Sequence, residues 1–489
     1  MTSMARVELP TLVDCHVHFR EPGLEQKGDM RSESEAAYAG GIGVVCDMPN
    51  TKPPTQTITA FAEKVRRAKA VEKLCDIRLF FGAAIISRAS GVGGSEAGRR
   101  DTQMTSMARV ELPTLVDCHV HFREPGLEQK GDMRSESEAA YAGGIGVVCD
   151  MPNTKPPTQT ITAFAEKVRR AKAVEKLCDI RLFFGATAHE HLQELETLWT
   201  QPQHAALKTR CAGLKLYLDN STGNLKSSAD VTEAAFELCG KLDIPLVAHC
   251  EHATHNDEAC SANPYTGPAS HSLRRPVHSE YASIAYGIEL ARRHGTRLHV
   301  AHLSTGEGLE LVRQARAEGL HVTTEVTPHH LFLTTGDYGC CGARVKVNPP
   351  VRPPEHHERL WEGVLDGTVD CIGTDHAPHT LEEKSDATNP PSGMPSIEVV
   401  VPLLLTVCAG RWPHPTAAMP KALEARRLTI GDIVRLMHTN PNRIFGLGLS
   451  EKSQRFFDLS MEWVVKESQL KSKCGWSPYA NWHLVGKAI

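Results

Sequence analysis

Six side chains in this sequence have the types and the spacing that metal-assisted chemistry requires. Two histidines lie two residues apart, and the others come at or near the ends of short apolar runs further along the chain. They are His119, His121, Lys215, His249, His302 and Asp375. Imidazole together with carboxylate suits zinc and similar borderline metals better than calcium or magnesium. The residue types therefore predict a metal site.

Each of these residues also has an ordinary structural explanation. A lone histidine at a strand end is more often a satisfied hydrogen-bonding residue than a ligand, and a lysine in a strand usually extends its ammonium group to solvent. On a strand, however, His119 and His121 would face the same side. Four histidines and one aspartate could serve two ions if a further group bridged them. A free ammonium at Lys215 could not bridge, because it is positively charged and has no acceptor.

From residue 104 onward, short β-branched apolar runs alternate with amphipathic helical patterns, as in a parallel sheet with crossover helices. The runs are Thr114–Asp117, Gly146–Asp150, Arg181–Ala186, Gly213–Leu218, Pro245–Cys250, Arg297–His302, His321–Val326 and Cys371–His376. The clearest helical patterns cover Thr158–Glu175, Ser228–Leu242, Val277–His294 and Thr305–Glu318. Eight such units predict an α/β fold, a (β/α)8 TIM barrel whose strand ends converge on one mouth. A doubly wound open sheet is the alternative, but no glycine-rich phosphate loop follows the first strand.

Part of the sequence occurs twice, since Met1–Ala83 is repeated without change as Met104–Ala186. The glycine-rich stretch 84–103 between the copies predicts a flexible linker. Three strands cannot close a barrel, whereas the second copy continues directly into the other five. We therefore assign the function to the second copy, with a barrel over 104–450 and a C-terminal β extension over 451–489. We expect the first copy to have no function of its own, and a regulatory or swapped role is the alternative.

Composition limits the class of protein. Apolar residues make up 41% and charged residues 23% of the chain, which is typical of a soluble globular protein. The net charge is −4 without a long basic run, so neither nucleic acid nor a membrane is an expected partner. Fifteen cysteines without a C-x-x-C pair or a preceding signal peptide predict reduced thiols and a cytoplasmic location.

The stretch Asp117-x-His119-x-His121-Phe122-Arg123-Glu124-Pro125-Gly126 resembles the signature of dihydroorotases, a family of the amidohydrolase superfamily. Segments Met151–Thr154, Gly213–Tyr217, Val247–Glu251 and Thr374–His379 share the resemblance, which covers 110–485. It implies reversible, zinc-dependent cyclisation of N-carbamoyl-L-aspartate to (S)-dihydroorotate, in the de novo biosynthesis of UMP. It also implies an amidohydrolase-type barrel with a small, reduced β extension from the C-terminal tail.

The resemblance further implies a ligand set. In that family the lysine is carboxylated, and its carbamate bridges two zinc ions. One Zn²⁺ would be held by His119, His121 and Asp375, the other by His249 and His302, with Lys215 as the bridge and Asp375 as the catalytic proton carrier. The implied substrate contacts are Arg123, Asn153, Thr222, Asn348 and His379, with Ser221 as the second candidate in the loop of Thr222. Glu325, His329 and His330, near the end of the seventh strand, are not expected to be ligands.

Other cyclic amidases on the same scaffold are the nearest alternatives, namely allantoinase, hydantoinase and dihydropyrimidinase. Arg123 and His379 favour dihydroorotase, because the substrates of the others lack an α-carboxylate at this position. A non-catalytic scaffold of the same fold is a further alternative, although no ligand of the set is missing. The expected partners are the small-molecule substrate, further copies of the chain in a homo-oligomer, and other pyrimidine-pathway enzymes.

Overall fold

The computed structural model describes residues 12–52, 54–55, 58–71, 74–79, 109–219, 225–450 and 454–489. The predicted linker at 84–103 and the loop residues Ser221 and Thr222 lie outside these ranges. The chain divides into two compact units, Met1–Arg99 and Arg100–Ile489. No helix in the described ranges is long and apolar enough to cross a membrane.

The first unit is a three-stranded parallel sheet with two helices. Its elements are β1 (Leu12–Val17), α1 (Met30–Ala39), β2 (Ile42–Asp47), α2 (Ile58–Ala70) and β3 (Asp76–Leu79). A small core forms between the sheet and the helices from Phe19, Met30, Val45, Ala68 and Cys75.

The second unit contains an eight-stranded parallel sheet and a separate three-stranded antiparallel sheet. Its strands are β4 (Arg109–Pro113), β5 (Leu115–Val120), β6 (Ile145–Asp150), β7 (Asp179–Gly185), β8 (Cys211–Tyr217), β9 (Leu246–His249), β10 (Leu298–Val300), β11 (Val322–Val326), β12 (Cys371–Ile372), β13 (Gln454–Val464) and β14 (His483–Ala488). The parallel sheet runs from β5 to β12 with each strand beside the next in the chain.

Seventeen α-helical segments in the described part of this unit connect and cover the strands. They are α3 (Met133–Ala142), α4 (Ile161–Lys172), α5 (His189–Thr200), α6 (Ala205–Lys208), α7 (Ala229–Leu242), α8 (Ala253–Ala262), α9 (His271–Arg274), α10 (Val277–His294), α11 (Gly306–Ala317), α12 (Pro328–Phe332), α13 (Tyr338–Cys341), α14 (Pro354–Asp366), α15 (Leu381–Lys384), α16 (Val400–Cys408), α17 (Lys421–Ala425), α18 (Ile430–Val434) and α19 (Asn440–Ile444). The four helices predicted from amphipathic patterns correspond to α4, α7, α10 and α11.

Hydrogen bonds that link β5 and the residue after it to the segment that follows β12 nearly close the barrel. The backbone N–H of His121 donates to the carbonyl of His376 at 2.8 Å. The Asp117 carboxylate accepts from the backbone N–H of Thr374 at 2.9 Å and from its hydroxyl at 2.5 Å. Strands β5 to β9 are almost fully buried, as expected for parallel strands covered by helices. The predicted TIM-barrel fold is confirmed.

The ends of several predicted strands are corrected by the structure. The first barrel strand extends to Val120, so His119 lies on β5 itself. The last strand ends at Ile372 rather than His376, because Thr374 bonds to Asp117 and Asp375 adopts a left-handed backbone with φ 47°. The C-terminal extension over 451–489 contains the two strands β13 and β14, which join β4 in the small antiparallel sheet.

The duplicated sequence places identical residues in two environments. Leu115 on β5 is completely buried, whereas its copy Leu12 on β1 is 42% exposed. The difference arises because β5 is enclosed by the rest of the barrel, while β1 belongs to a sheet of three strands. The same side chain therefore contributes to a large core in one unit and faces solvent in the other.

We predict that Leu115→Ala lowers the free energy of unfolding by about 2–5 kcal/mol, because it leaves a cavity in a packed core. Leu12→Ala is the matched control, and its effect should stay below about 0.5 kcal/mol. Urea unfolding followed by circular dichroism measures both. Equal losses for the two variants would show that the first copy is packed as tightly as the second.

Candidate metal centre

A cavity lies at the carboxyl ends of the barrel strands, with a volume of about 330 Å³ that includes space open to solvent. It is lined by His119, His121, Tyr217, His249, His302, Asn348, Asp375, Ala377, Ser392 and Gly393. Five of the six predicted metal ligands therefore share one cavity, in the place where TIM barrels hold their active sites. Tyr217, Ala377, Ser392 and Gly393 were not predicted, since neither tyrosine nor a small loop residue stands out in the sequence.

His119, His121 and Asp375 form a cluster whose donor atoms all lie within 4.8 Å of one another. The Oδ1 atom of Asp375 is 2.9 Å from Nε2 of His121 and 3.4 Å from Nε2 of His119. All three residues are buried. Two imidazoles and a carboxylate converging in this way are a suitable donor set for a divalent cation.

His249 and His302 form a second pair of donors. Nδ1 of His249 lies 2.9 Å from Nε2 of His302, and its Nε2 lies 2.8 Å from the Glu251 carboxylate. Arg275 donates to Glu251 and so holds this carboxylate in place. Because Nε2 of His249 is directed at Glu251, Nδ1 is the nitrogen of this ring that faces the centre.

Lys215 lies on β8 behind the cavity surface and is 1% exposed. Its Nζ has no hydrogen-bond partner among the described residues. Burial lowers the pKa of Lys215 to about 8, although Glu325 and Asp375 act to raise it. Nζ lies 5.2 Å from the centre of the Tyr217 ring, but a buried ammonium without a hydrogen bond is costly, and a chemical change or a ligand would stabilise it.

Burial and neighbouring charges set the protonation states of the donors. Burial would raise the pKa of Asp375, but the His119 and His121 imidazoles outweigh it and lower this pKa below its ordinary range. Burial lowers the pKa of His121 and of His249, and that of His302 falls well below its usual value. His121, His249 and His302 are thus neutral at neutral pH and Asp375 is a carboxylate, which are the forms that bind a cation.

Two side chains bond to histidines of the candidate metal centre and orient their rings. The Glu325 carboxylate on β11 pairs with Nδ1 of His119 and also accepts from the backbone N–H of His302 at 3.2 Å. Asn153 holds Nδ1 of His121 at 2.6 Å. Carboxylate or amide partners of this kind fix the ring orientation in metal sites. Glu325 was not expected to be a ligand, and its contact with His119 was not predicted.

The predicted substrate contacts differ in their position relative to the cavity. Arg123 is buried and donates from Nε to the carbonyl of Pro378 at 3.0 Å, and its Nη2 lies 3.1 Å from Nε2 of His379. Burial and then the Arg123 charge lower the pKa of His379 to about 3, so this ring is neutral. Asn348 lines the cavity and Asn153 lies behind His121, while Thr222 lies outside the described residues.

A locally determined turn positions Arg123. Its backbone is left-handed with φ 68°, and Gly126 follows with φ 87°. A Cβ atom at Gly126 would lie 2.1 Å from the carbonyl oxygen of Lys155, so glycine is required there. The Glu124 carboxylate accepts from the N–H of Met133 at the start of α3. The segment that follows the histidine pair is thus a turn that directs the guanidinium toward His379.

The copy of the histidine pair in the first unit has a different environment. Nε2 of His16 lies 3.2 Å from Nε2 of His18, and Nδ1 of His18 is 2.7 Å from Asn50. Within the described part of that unit, no group of three or more potential ligands forms. The local geometry of the pair is retained, but the distant carboxylate that would complete a site is not there.

Comparisons with known proteins agree with this geometry. The profile of the amidohydrolase family matches residues 7–111 and 110–450. The chain is 33% identical to a dihydroorotase from Staphylococcus epidermidis, over 77% of its own length and 83% of that protein. It is 37% identical to a dihydroorotase from Thermus aquaticus, over 76% of its own length and 85% of that protein. It is 32% identical over 78% of its length to the multifunctional protein CAD of Squalus acanthias, of which it spans 15%. Among solved structures, L-hydantoinase (dihydropyrimidinase) from Arthrobacter aurescens matches with a TM-score of 0.69 and 28% identity, over 78% of this chain and 83% of that one.

We predict that replacing His119 and His121 together by alanine removes bound metal, because the cluster loses two of its three donors. The same double replacement at His16 and His18 should leave the metal content unchanged. The two variants are matched, since identical sequence surrounds both pairs. Elemental analysis of the purified proteins by mass spectrometry gives the metal content. Loss of metal from the His16/His18 variant alone would assign the centre to the first copy.

Proposed function

Since this chain belongs to the amidohydrolase family, we propose that it is a dihydroorotase, which interconverts N-carbamoyl-L-aspartate and (S)-dihydroorotate in the de novo synthesis of UMP. The observation that carries the proposal is the buried Arg123 guanidinium beside the metal centre. Its Nη1 makes no hydrogen bond within the described ranges and is free to bind a carboxylate. Dihydroorotate has such a carboxylate, whereas uncharged dihydropyrimidines do not. The named dihydroorotases at 33% and 37% identity support the same choice.

The donor set fits two zinc ions. His119, His121 and Asp375 would hold one and His249 and His302 the other, with Lys215 carboxylated between them. The unpartnered Nζ of Lys215 and the unpartnered Nδ1 of His302 are buried polar atoms that support this assignment. Bound zinc would supply Lewis acidity, which polarises an amide carbonyl and makes water more acidic.

The chain's own residues account for proton transfer. Ring closure joins the ureido nitrogen to the carbon of the side-chain carboxylate of carbamoyl-aspartate, takes up one proton from solution and releases water. One proton must therefore leave the nitrogen and reach the departing oxygen. Asp375 lies on the cavity wall as a carboxylate, and its Oδ1 is held by His121 at 2.9 Å. It is the group that would take up this proton and deliver it, and ring opening uses the same path in reverse.

Arg123, His379 and Asn153 orient the substrate in this proposal. Arg123 presents a planar fork to the α-carboxylate, and its contact with His379 fixes the position of the fork. Asn153 holds His121 through Oδ1, while its buried Nδ2 has no partner among the described residues. In this proposal that amide N–H₂ would donate to a substrate oxygen. Asn348 borders the cavity and would face the ring.

A cyclic amidase acting on an uncharged ring is the second candidate. The likeness to the L-hydantoinase (dihydropyrimidinase) structure, at 28% identity, favours it. The two candidates differ in the use of Arg123, because an uncharged ring gives this guanidinium no partner. Hydrolysis of dihydroorotate and of dihydrouracil by the purified protein distinguishes them.

We predict that Arg123→Lys raises the KM for dihydroorotate by about tenfold or more, because a point charge cannot replace a two-pronged fork. The zinc content should not change, since Arg123 contacts no proposed ligand. Arg20→Lys, the same substitution in the first copy, is the matched control and should leave KM unaltered. Equal activity of the parent protein towards dihydroorotate and dihydrouracil would contradict the dihydroorotase proposal.

We also predict that Lys215→Ala loses most of its activity and bound metal, and that short carboxylic acids such as propionate partly restore both. The reason is that an added carboxylate can occupy the place of the carbamate anion between two cations. Lys241→Ala, at a lysine that is largely exposed and paired with Glu196, serves as the control and should behave like the parent. Full metal content and normal turnover of Lys215→Ala would rule out the bridging role.

A further inference from the structure

A second, larger cavity lies at the opposite end of the barrel, at the amino ends of β9 to β12. Its volume, which includes space open to solvent, is about 750 Å³. Pro245, Arg297 and Val322 on its wall lie directly before or at the start of β9, β10 and β11, and Asp370 directly precedes β12. The metal centre lies at the carboxyl ends of the same strands, so this cavity is separate from it.

His299 and Glu325 mark the separation. His299 lines the second cavity and lies 3.2 Å from the Glu325 carboxylate through Nε2. Glu325 in turn bonds to His119. Both His299 and Glu325 are buried, and together they form a layer of side chains between the two cavities.

Three arginines and one aspartate supply the charges on the wall of this cavity. Arg316 is fixed by Asp370 and by the carbonyl of Val322, which accepts from Nε at 2.7 Å. Arg297 donates from Nη2 to the carbonyl of Ile444 at 2.5 Å, and the exposed Asp243 lies 3.5 Å from its Nη1 at the rim. The three arginines and Asp370 leave an excess of two positive charges on the wall, and Asp243 at the rim offsets one of them.

Arg443 is the unpartnered member of this group. It makes no hydrogen bond or ion pair with any described residue, and its side chain is exposed. Because Arg297 and Arg316 are held in place by backbone carbonyls, their remaining N–H groups are preorganised. A third, free guanidinium beside two fixed ones is an arrangement that binds oxyanions through several charge-assisted hydrogen bonds.

Part of the remaining wall is apolar. Pro245, Leu320 and Ile444 contribute apolar surface beside the guanidinium groups. A cavity with a cationic side and an apolar side fits a ligand that has a phosphate at one end and an organic body at the other. We propose that this cavity binds a small organic phosphate, at a site distinct from the metal centre.

Isothermal titration calorimetry of the metal-loaded protein with ribose 5-phosphate tests the proposal. The expected dissociation constant is about 1 mM or lower, with weaker binding of inorganic phosphate and no binding of ribose. Arg443→Gln should weaken the binding of ribose 5-phosphate by about tenfold, since one charge-assisted contact is lost. Arg427→Gln, at an exposed arginine outside the cavity, is the control and should bind like the parent.

The metal centre must be excluded as the binding site. The His119→Ala/His121→Ala variant removes two proposed metal ligands and should bind ribose 5-phosphate as the parent does. If binding disappears in that variant, the phosphate binds at the metal centre and the proposal is wrong. Equal affinities of the parent and Arg443→Gln, with thermal unfolding showing both to be folded, would also overturn it, as would absence of binding by the parent.

Discussion

The second unit is organised around one constraint. It buries polar groups that have no hydrogen-bond partner in the protein. Lys215 has an amine without a hydrogen bond, and His302 has an unpaired Nδ1, both enclosed by the barrel. Such groups reduce stability unless a ligand satisfies them. This loss of stability falls at the strand ends, where four histidines and Asp375 converge. We infer that metal ions, with a carboxylated lysine, satisfy these groups in the active protein.

A comparison of the two identical copies shows which structural features the local sequence determines and which depend on the rest of the fold. Both copies form the left-handed turn at Arg20 and Arg123. Both also form a buried pair between the last residue of the second strand and a lysine of the following helix, Asp47 with Lys64 at 2.9 Å and Asp150 with Lys167 at 2.8 Å. These features could be inferred from sequence, because their partners are near in the chain. The burial of β5 could not, because it depends on strands that the first unit does not contain.

The same distinction explains which parts of the candidate site were predictable. The eight strands follow from apolar runs, and the ligand set follows from residue types at strand ends together with the family resemblance. The orienting groups were missed, because Glu325 meets His119 across 206 residues of chain and no pattern marks that contact. The C-terminal tail gives a further example. Trp476 donates to the carbonyl of His379 at 2.7 Å, and Ser472 donates to Glu136, which also pairs with His376. A residue that acts by holding another one leaves no periodic signal in the sequence.

A crystal structure of the purified protein, with anomalous data collected on both sides of the zinc absorption edge, tests the central claim most directly. Our account predicts two zinc peaks in the cavity of His119, His121, His249, His302 and Asp375. It also predicts electron density for a carboxylate group on Nζ of Lys215, lying between the two peaks. An unmodified lysine with no zinc peak in this cavity would contradict the account.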